Sequence, residues 1–260
     1  MTNDVPRTRA DGASLADALQ AQPFTLAMSS GFFGFFAHAG FVAALESFGL
    51  QPAAYAGSSA GALVAAAHAS GHSGMDLRER FGDLRRDDFW DPRALPIAGG
   101  VLRGRRFRAQ LRDLLAPSFR SLRPLSISVF DMLTRSTRVR RSGDLPLAVH
   151  ASCCVPLMFE PVWDGRRPLL DGGIADRPGL AGVPIGARVL YHHIASRSPW
   201  RSHKGMRIPE REGMISVSID GLPRLGPSRL DQALAAFDGA YEAGRRSLEG
   251  PAADRVWIRA

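Results

Sequence analysis

The sequence predicts an α/β domain built on a mainly parallel sheet. Short apolar runs of strand length alternate along the chain with longer segments of helical period, an order that implies a sheet covered on both faces. Glycine or proline marks many of the boundaries. The length of 260 residues, with 45% hydrophobic and 22% charged residues, suits one domain with a substantial core.

Taken in order, residues 1–23 are polar and read as a poorly ordered arm, with one short helix around Ser14 to Leu19; residues 24–260 form the domain. Residues 24–29 read as a buried strand that runs into a glycine–aromatic turn. A helix follows over 36–48, with Phe41, Leu45 and Phe48 at helical spacing and Gly49 as its stop. A short strand over 53–57 leads into an alanine-rich helix over 60–70. The stretch 75–119 reads as mostly helical with arginine-rich faces. Beyond it come strands at 125–130 and 137–141, a helix over 145–152, and a strand ending at Asp171. Further strands fall at 188–194 and 214–219, then a long helix at 230–248 and a last strand at 256–258. The stretch 196–212 has no clear period and reads as a long loop. No internal repeat is visible.

No apolar run approaches the roughly 20 residues that span a bilayer. The first residues lack the apolar stretch of a secretory signal, so a cytoplasmic location is the expectation. The two cysteines, Cys153 and Cys154, are adjacent and offer no disulfide framework; they read as small buried apolar residues. The formal net charge is +8, carried almost wholly by arginine, since Lys204 is the single lysine. Arginines cluster at 103, 105, 106, 108 and 112 and again at 135, 138, 140 and 141. No zinc-finger spacing, helix-turn-helix or aromatic-interleaved basic strand accompanies them, which argues against nucleic acid. Solvated arginines that favour an anionic lipid surface are the expectation.

Three segments carry chemistry. Gly57-Ser58-Ser59-Ala60-Gly61 is a G-x-S-x-G sequence between a strand and a helix, which leaves Ser59 exposed at a strained turn. Its helix N-terminus points N–H groups at developing negative charge. Ser30-Gly31-Phe32-Phe33-Gly34 lies between the first strand and its helix, where glycines let backbone N–H groups converge on an oxyanion. Asp171-Gly172-Gly173 ends a strand, with a carboxylate followed by two permissive residues. Ahead of it, Ser152 to Pro161 sets two prolines and a phenylalanine at fixed intervals.

In this order the three segments resemble the patatin-like phospholipase family, whose glycine-rich loop, G-x-S-x-G and D-G-G succeed one another in the same way. Ala37-His38-Ala39-Gly40, the S-x-x-x-P-x-x-F-x-P stretch and Asp176-Arg177-Pro178 add to the likeness, which runs from Phe24 to Pro178. The resemblance implies a three-layer α/β/α fold and hydrolysis of lipid acyl esters without cofactor or metal. It makes Ser59 the nucleophile, Asp171 its only catalytic partner, and the N–H groups of Gly31, Phe32 and Ala60 the oxyanion donors, with Gly34, Gly57, Gly61, Gly172 and Gly173 shaping the turns. This chain departs from the family at the glycine-rich loop, where Gly34 stands at the usual basic position, and at Asp176, where asparagine is usual.

Two other readings remain open. One is an α/β-hydrolase triad of Ser59, Asp171 and His192, His193 or His203. The other is a lipid-binding protein that keeps the fold without turnover. His38, inside the first helix, is expected to act through packing. The 196–212 loop, with Trp200, Met206, Arg197, Arg201, Lys204, Arg207 and Arg211, reads either as a solvated connector or as a contact with anionic membrane.

Overall fold

The structure, a computed structural model, is described for residues 12–92, 100–194 and 208–260. In chain order the first elements are α1 (Leu15–Gln20), β1 (Thr25–Met28), α2 (Phe35–Ser47), β2 (Ala54–Ser58), α3 (Ala60–Ala69) and α4 (Gly74–Gly82). Next come β3 (Gly100–Leu102), α5 (Arg105–Leu114), β4 (Leu125–Asp131), β5 (Ser136–Arg140), α6 (Leu145–Ser152) and β6 (Leu157–Phe159). The chain closes with β7 (Val162–Asp164), β8 (Arg167–Asp171), β9 (Val189–Ile194), β10 (Met214–Asp220), α7 (Ala233–Glu249) and β11 (Arg255–Arg259).

Nine strands form the central sheet. β11, β10, β9, β1, β2 and β4 are parallel neighbours in that order. β5, β7 and β8 extend the sheet in antiparallel pairings at the β4 end. The mixed α/β class with a mostly parallel sheet thus matches the expectation. β3 and β6, three residues each, form a separate parallel pair.

The larger apolar core lies between the sheet and the helices, with Phe36, Phe41, Val64 and Phe237 from the helices meeting Leu26, Met28, Ile215 and Val217 from the strands. Side chains alternate along each strand, so Ala27, Ala56, Val189, Tyr191 and Met214 face the other way, against Leu180 and Val183. No helical residue joins this second cluster among the described residues. The helices expected on both faces therefore supply one of the two apolar clusters, and the segment between β8 and β9 covers the other.

The short helix expected near the N-terminus forms, yet it is packed rather than loose. Ser14 caps α1 in a capping box with Asp17, and Leu15 and Leu19 are buried in the core. The Leu15 N–H donates to the Gly250 carbonyl and the Ala252 N–H to the Ala13 carbonyl, tying this stretch to the end of α7. The described part of the 75–119 stretch is also less helical than expected: between α4 and α5 lie a 3-10 turn at Arg86–Asp88 and β3. The strands β6 and β7 were not foreseen, being three residues long and proline-flanked.

One feature of the sheet sets up the site. β4 carries β5 along one edge over Ile127 to Asp131. Its other edge is shared, with Ser128 opposite Ser58 of β2 and Val129 opposite Asp171 of β8. Where β2 turns away into α3, the end of β8 takes its place. This register brings the residue after Ser58 against Asp171, 112 residues further on.

Candidate active site

Ser59 sits on the turn between β2 and α3 with φ 52° and ψ −120°, a geometry uncommon for a residue with a side chain. The two motif glycines make that turn possible by close approach. A Cβ at Gly57 would lie 2.6 Å from the Ala62 nitrogen, and one at Gly61 would lie 2.8 Å from Met28 Cβ and strike the Met28 carbonyl. Neither position has room for alanine.

Ser59 Oγ donates directly to Asp171 Oδ2 at 2.7 Å. The other carboxylate oxygen, Oδ1, accepts the Gly173 N–H at 2.7 Å, so the carboxylate is oriented by its own D-G-G turn. Both residues are nearly buried, with Ser59 8% and Asp171 6% exposed. The Ser59 backbone N–H is also engaged: it donates to Ser152 Oγ at 2.9 Å, and Ser152 Oγ donates to the Ser128 carbonyl at 2.7 Å. Ser128 Oγ in turn donates to Asp176 Oδ2 at 2.6 Å, and the same carboxylate accepts N–H groups of Gly179, Leu180 and Ala181. A buried chain of hydrogen bonds therefore runs from the segment after Asp176 to the backbone of Ser59.

Ser152 and Asp176 were not singled out as functional in the sequence. Both stand inside motifs already noted, at the head of the S-x-x-x-P stretch and just after D-G-G, and a buried hydroxyl or carboxylate there was the available signal. Aspartate at position 176 fits its surroundings well, since four donors converge on it.

Gly31, Phe32, Ser59 and Ala60 line one cavity of about 210 Å³. Among the described residues the N–H groups of Gly31 and Phe32 meet no protein acceptor. Ala60 opens α3, so its N–H has no intrahelical partner. The loop itself is shaped by the Ser30 N–H bonding the Arg177 carbonyl, a Gly34 to Gly31 turn, and Phe33 at φ 54°. Most of the remaining wall is apolar, including Phe35, Leu63, Phe81, Phe107, Leu111 and Phe159, with Arg80, Gln110 and Asp113 as its charged and polar part.

Cys153 also borders the cavity, its Sγ donating to the Ser59 carbonyl at 3.3 Å. Burial, aided by the charge of Asp171, pushes its thiol well above the usual range and keeps it neutral. The histidines of β9 are committed elsewhere. His192 Nδ1 lies 2.9 Å from His38 Nδ1, with Phe41 stacked on its ring, and His193 Nδ1 lies 3.0 Å from Tyr191 Oη. His38 Nε2 meets the Ser29 carbonyl at 2.8 Å. Ser59 Oγ donates to Asp171, while His192 meets His38 of α2 and His193 meets Tyr191 of its own strand. His203 lies outside the described residues, as do Arg197, Trp200, Arg201, Lys204, Met206 and Arg207 of the long loop. Arg211, at its end, donates to the carbonyls of Val183 and Pro184. In the second arginine cluster, Arg140 pairs with Asp164 and Arg141 bonds Ser126 and Gly182, a structural use rather than a free basic surface.

The sheet and site together define an α/β protein that holds a serine–aspartate pair whose serine lines a mainly apolar cavity. The chain belongs to the patatin-like phospholipase family, whose sequence profile matches residues 26–183. It is similar to uncharacterized NTE family proteins of Mycobacterium bovis and Mycobacterium tuberculosis, 31% identical over 166 residues, which is 61% of this chain and 44% of each relative. The matched part thus spans less than half the length of those relatives. Among solved structures, VipD from Legionella pneumophila superposes with a TM-score of 0.52 at 14% identity, over 87% of this chain and 66% of that one, a likeness of fold.

Proposed function

We propose that the chain is a serine-dependent lipid acyl-hydrolase of phospholipase A, lysophospholipase or esterase type, acting through an acyl-enzyme on Ser59. Family membership supports the lipid-hydrolase class. The observation that carries the finer reading is the 2.7 Å bond to Asp171 from Ser59 Oγ, with Ser59 lining a mainly apolar cavity.

Asp171 takes the proton as Ser59 Oγ attacks the ester carbonyl. The N–H groups of Gly31, Phe32 and Ala60 receive the oxyanion, and the α3 N-terminus adds its positive end. The leaving alcohol takes the proton back from Asp171, and the acyl chain stays against the apolar wall. Water then attacks the acyl-enzyme with Asp171 again as base, and Ser59 regains its proton as the free acid departs.

Hydrolysis of a p-nitrophenyl ester and of a lysophospholipid tests the proposal. Ser59→Ala and Asp171→Asn should each lower turnover by several orders of magnitude while preserving the folded spectrum. Wild-type rates in either variant would remove that residue from the mechanism, and an inert wild-type protein would favour lipid binding without turnover.

A further inference from the structure

Outside the site, the corner made by β3, β6 and the first turn of α5 has an unusual surface. Leu157 is 72% exposed and holds φ 66°, in the left-handed region that a branched side chain disfavours. Gly100 pairs with Leu157 in the β3–β6 register, and Val101, the next residue of β3, is 47% exposed. Solvation alone gives no reason to hold a bulky apolar side chain outward on a strained backbone.

The corner is continuous with the cavity. Val155, Met158 and Phe159, on either side of Leu157 in sequence, line the cavity wall, and Phe107 of α5 stacks on Phe159 with ring centres 5.8 Å apart. The charge beside it is basic. Arg103, Arg105 and Arg106 are exposed where β3 passes into α5. The Asp91 carboxylate below them accepts the N–H groups of Gly104, Arg105 and Arg106, fixing the start of the helix. Arg106 Nη1 reaches the Asp87 carbonyl at 2.7 Å, which anchors that side chain.

We propose that this corner docks on an anionic lipid bilayer, Leu157 and Val101 entering the headgroup–acyl boundary and Arg103 and Arg105 facing the headgroups. Apolar residues that enter and cations that stay at the boundary are what such a surface binds. The net charge of +8 favours the same partner. Docked in this way, the molecule sets one wall of its cavity against the membrane. The meaning of the contact rests on the hydrolase reading, but the contact itself does not require turnover.

The test uses Leu157→Asn with Val101→Ser, and separately Arg103→Gln with Arg105→Gln. Co-sedimentation is measured with vesicles of phosphatidylcholine alone and of phosphatidylcholine mixed with phosphatidylglycerol. Wild-type protein and Ser59→Ala should bind the mixed vesicles equally, and the neutral ones less. The apolar pair of substitutions should weaken that binding about tenfold or more, the loss expected for leucine-scale burial. Asparagine tolerates the left-handed backbone, so Tm should hold or rise, and turnover of a soluble monomeric ester should not change. The arginine variant should lose the preference for anionic vesicles. Unaltered vesicle binding in both variants, or no binding by wild type, overturns the proposal. So does light scattering that shows a wild-type dimer split by Leu157→Asn, which would assign the corner to a second copy. Loss of activity in Ser59→Ala with vesicle binding intact keeps this outcome separate from that of the hydrolase reading.

Discussion

Replacing Ser152 by alanine isolates a side chain that holds Ser59, the proposed nucleophile, from behind. Its hydroxyl accepts the Ser59 N–H at 2.9 Å and donates to the Ser128 carbonyl at 2.7 Å, and the residue is fully buried. Alanine leaves a donor and an acceptor without a partner in a place that water does not reach. Each such group costs about 1–3 kcal/mol, and partial relaxation brings the expected total to roughly 2–4 kcal/mol. For a chain of this size that corresponds to a fall in Tm of roughly 5–15 °C. The catalytic effect is distinct, because the freed N–H belongs to the residue at φ 52° whose Oγ must stay 2.7 Å from Asp171. A drop in kcat of about 10–100-fold with little change in KM is expected, since displacing a reacting group by a fraction of an ångström acts on the chemical step. Steady-state kinetics on a soluble ester, corrected for the folded fraction, supply the assay. A normal kcat in a destabilised protein would reduce Ser152 to a structural hydroxyl and refute the positioning argument.

Other outcomes follow from the same structure. Burial pushes His38 and His193 from the usual 6.5 down to about 4 and lowers His192 as well. The unfolded chain takes up protons below 6.5 while the folded one does not until about 4. Stability is therefore complete above pH 6.5 and falls as pH drops toward 4, by up to about 1.4 kcal/mol per pH unit for each imidazole. Thermal melts at pH 7.5 and pH 5 check the sign, and a higher Tm at pH 5 would contradict it. His38→Ala removes the contacts to Ser29 and His192, so Tm should fall while kcat per folded molecule holds; a folded but inactive variant would give His38 a chemical role. Leu63 lines the cavity one helical turn beyond Ala60. Leu63→Trp should suppress kcat/KM for long-chain p-nitrophenyl esters at least tenfold while sparing the acetate, and an unchanged chain-length profile would place the acyl group elsewhere.

Much of the site was legible because its motifs are local. A glycine two places either side of Ser59 forecasts a turn that tolerates no Cβ, and the neighbours of Gly57 and Gly61 show the reason. The contact with Asp171 is not local: it depends on β2 and β8 sharing one edge of β4, a register that no short-range pattern encodes. Ser152 was passed over for a similar reason, since a serine at the end of a helix declares its partner only when Ser59 and Ser128 arrive beside it. Among the elements, α2, α3, α6 and α7 had long apolar or alanine-rich runs and were readable. β3, β6 and β7 hold three residues each, too few for any period, and the docking of α1 depends on contacts with the far end of the chain. The second face of the sheet escaped prediction because Leu180, Val183 and Ala187 cover it without helical spacing.

The central claim is that Ser59 is a nucleophile activated by Asp171, and labelling with a fluorophosphonate tests it most directly. Mass spectrometry of the intact protein and of its peptides should show one adduct, placed on Ser59. Ser59→Ala should take up none, and Asp171→Asn should label far more slowly than the wild type, because the amide cannot accept the Oγ proton. An adduct on another residue, or Asp171→Asn labelling at the wild-type rate, would contradict the account.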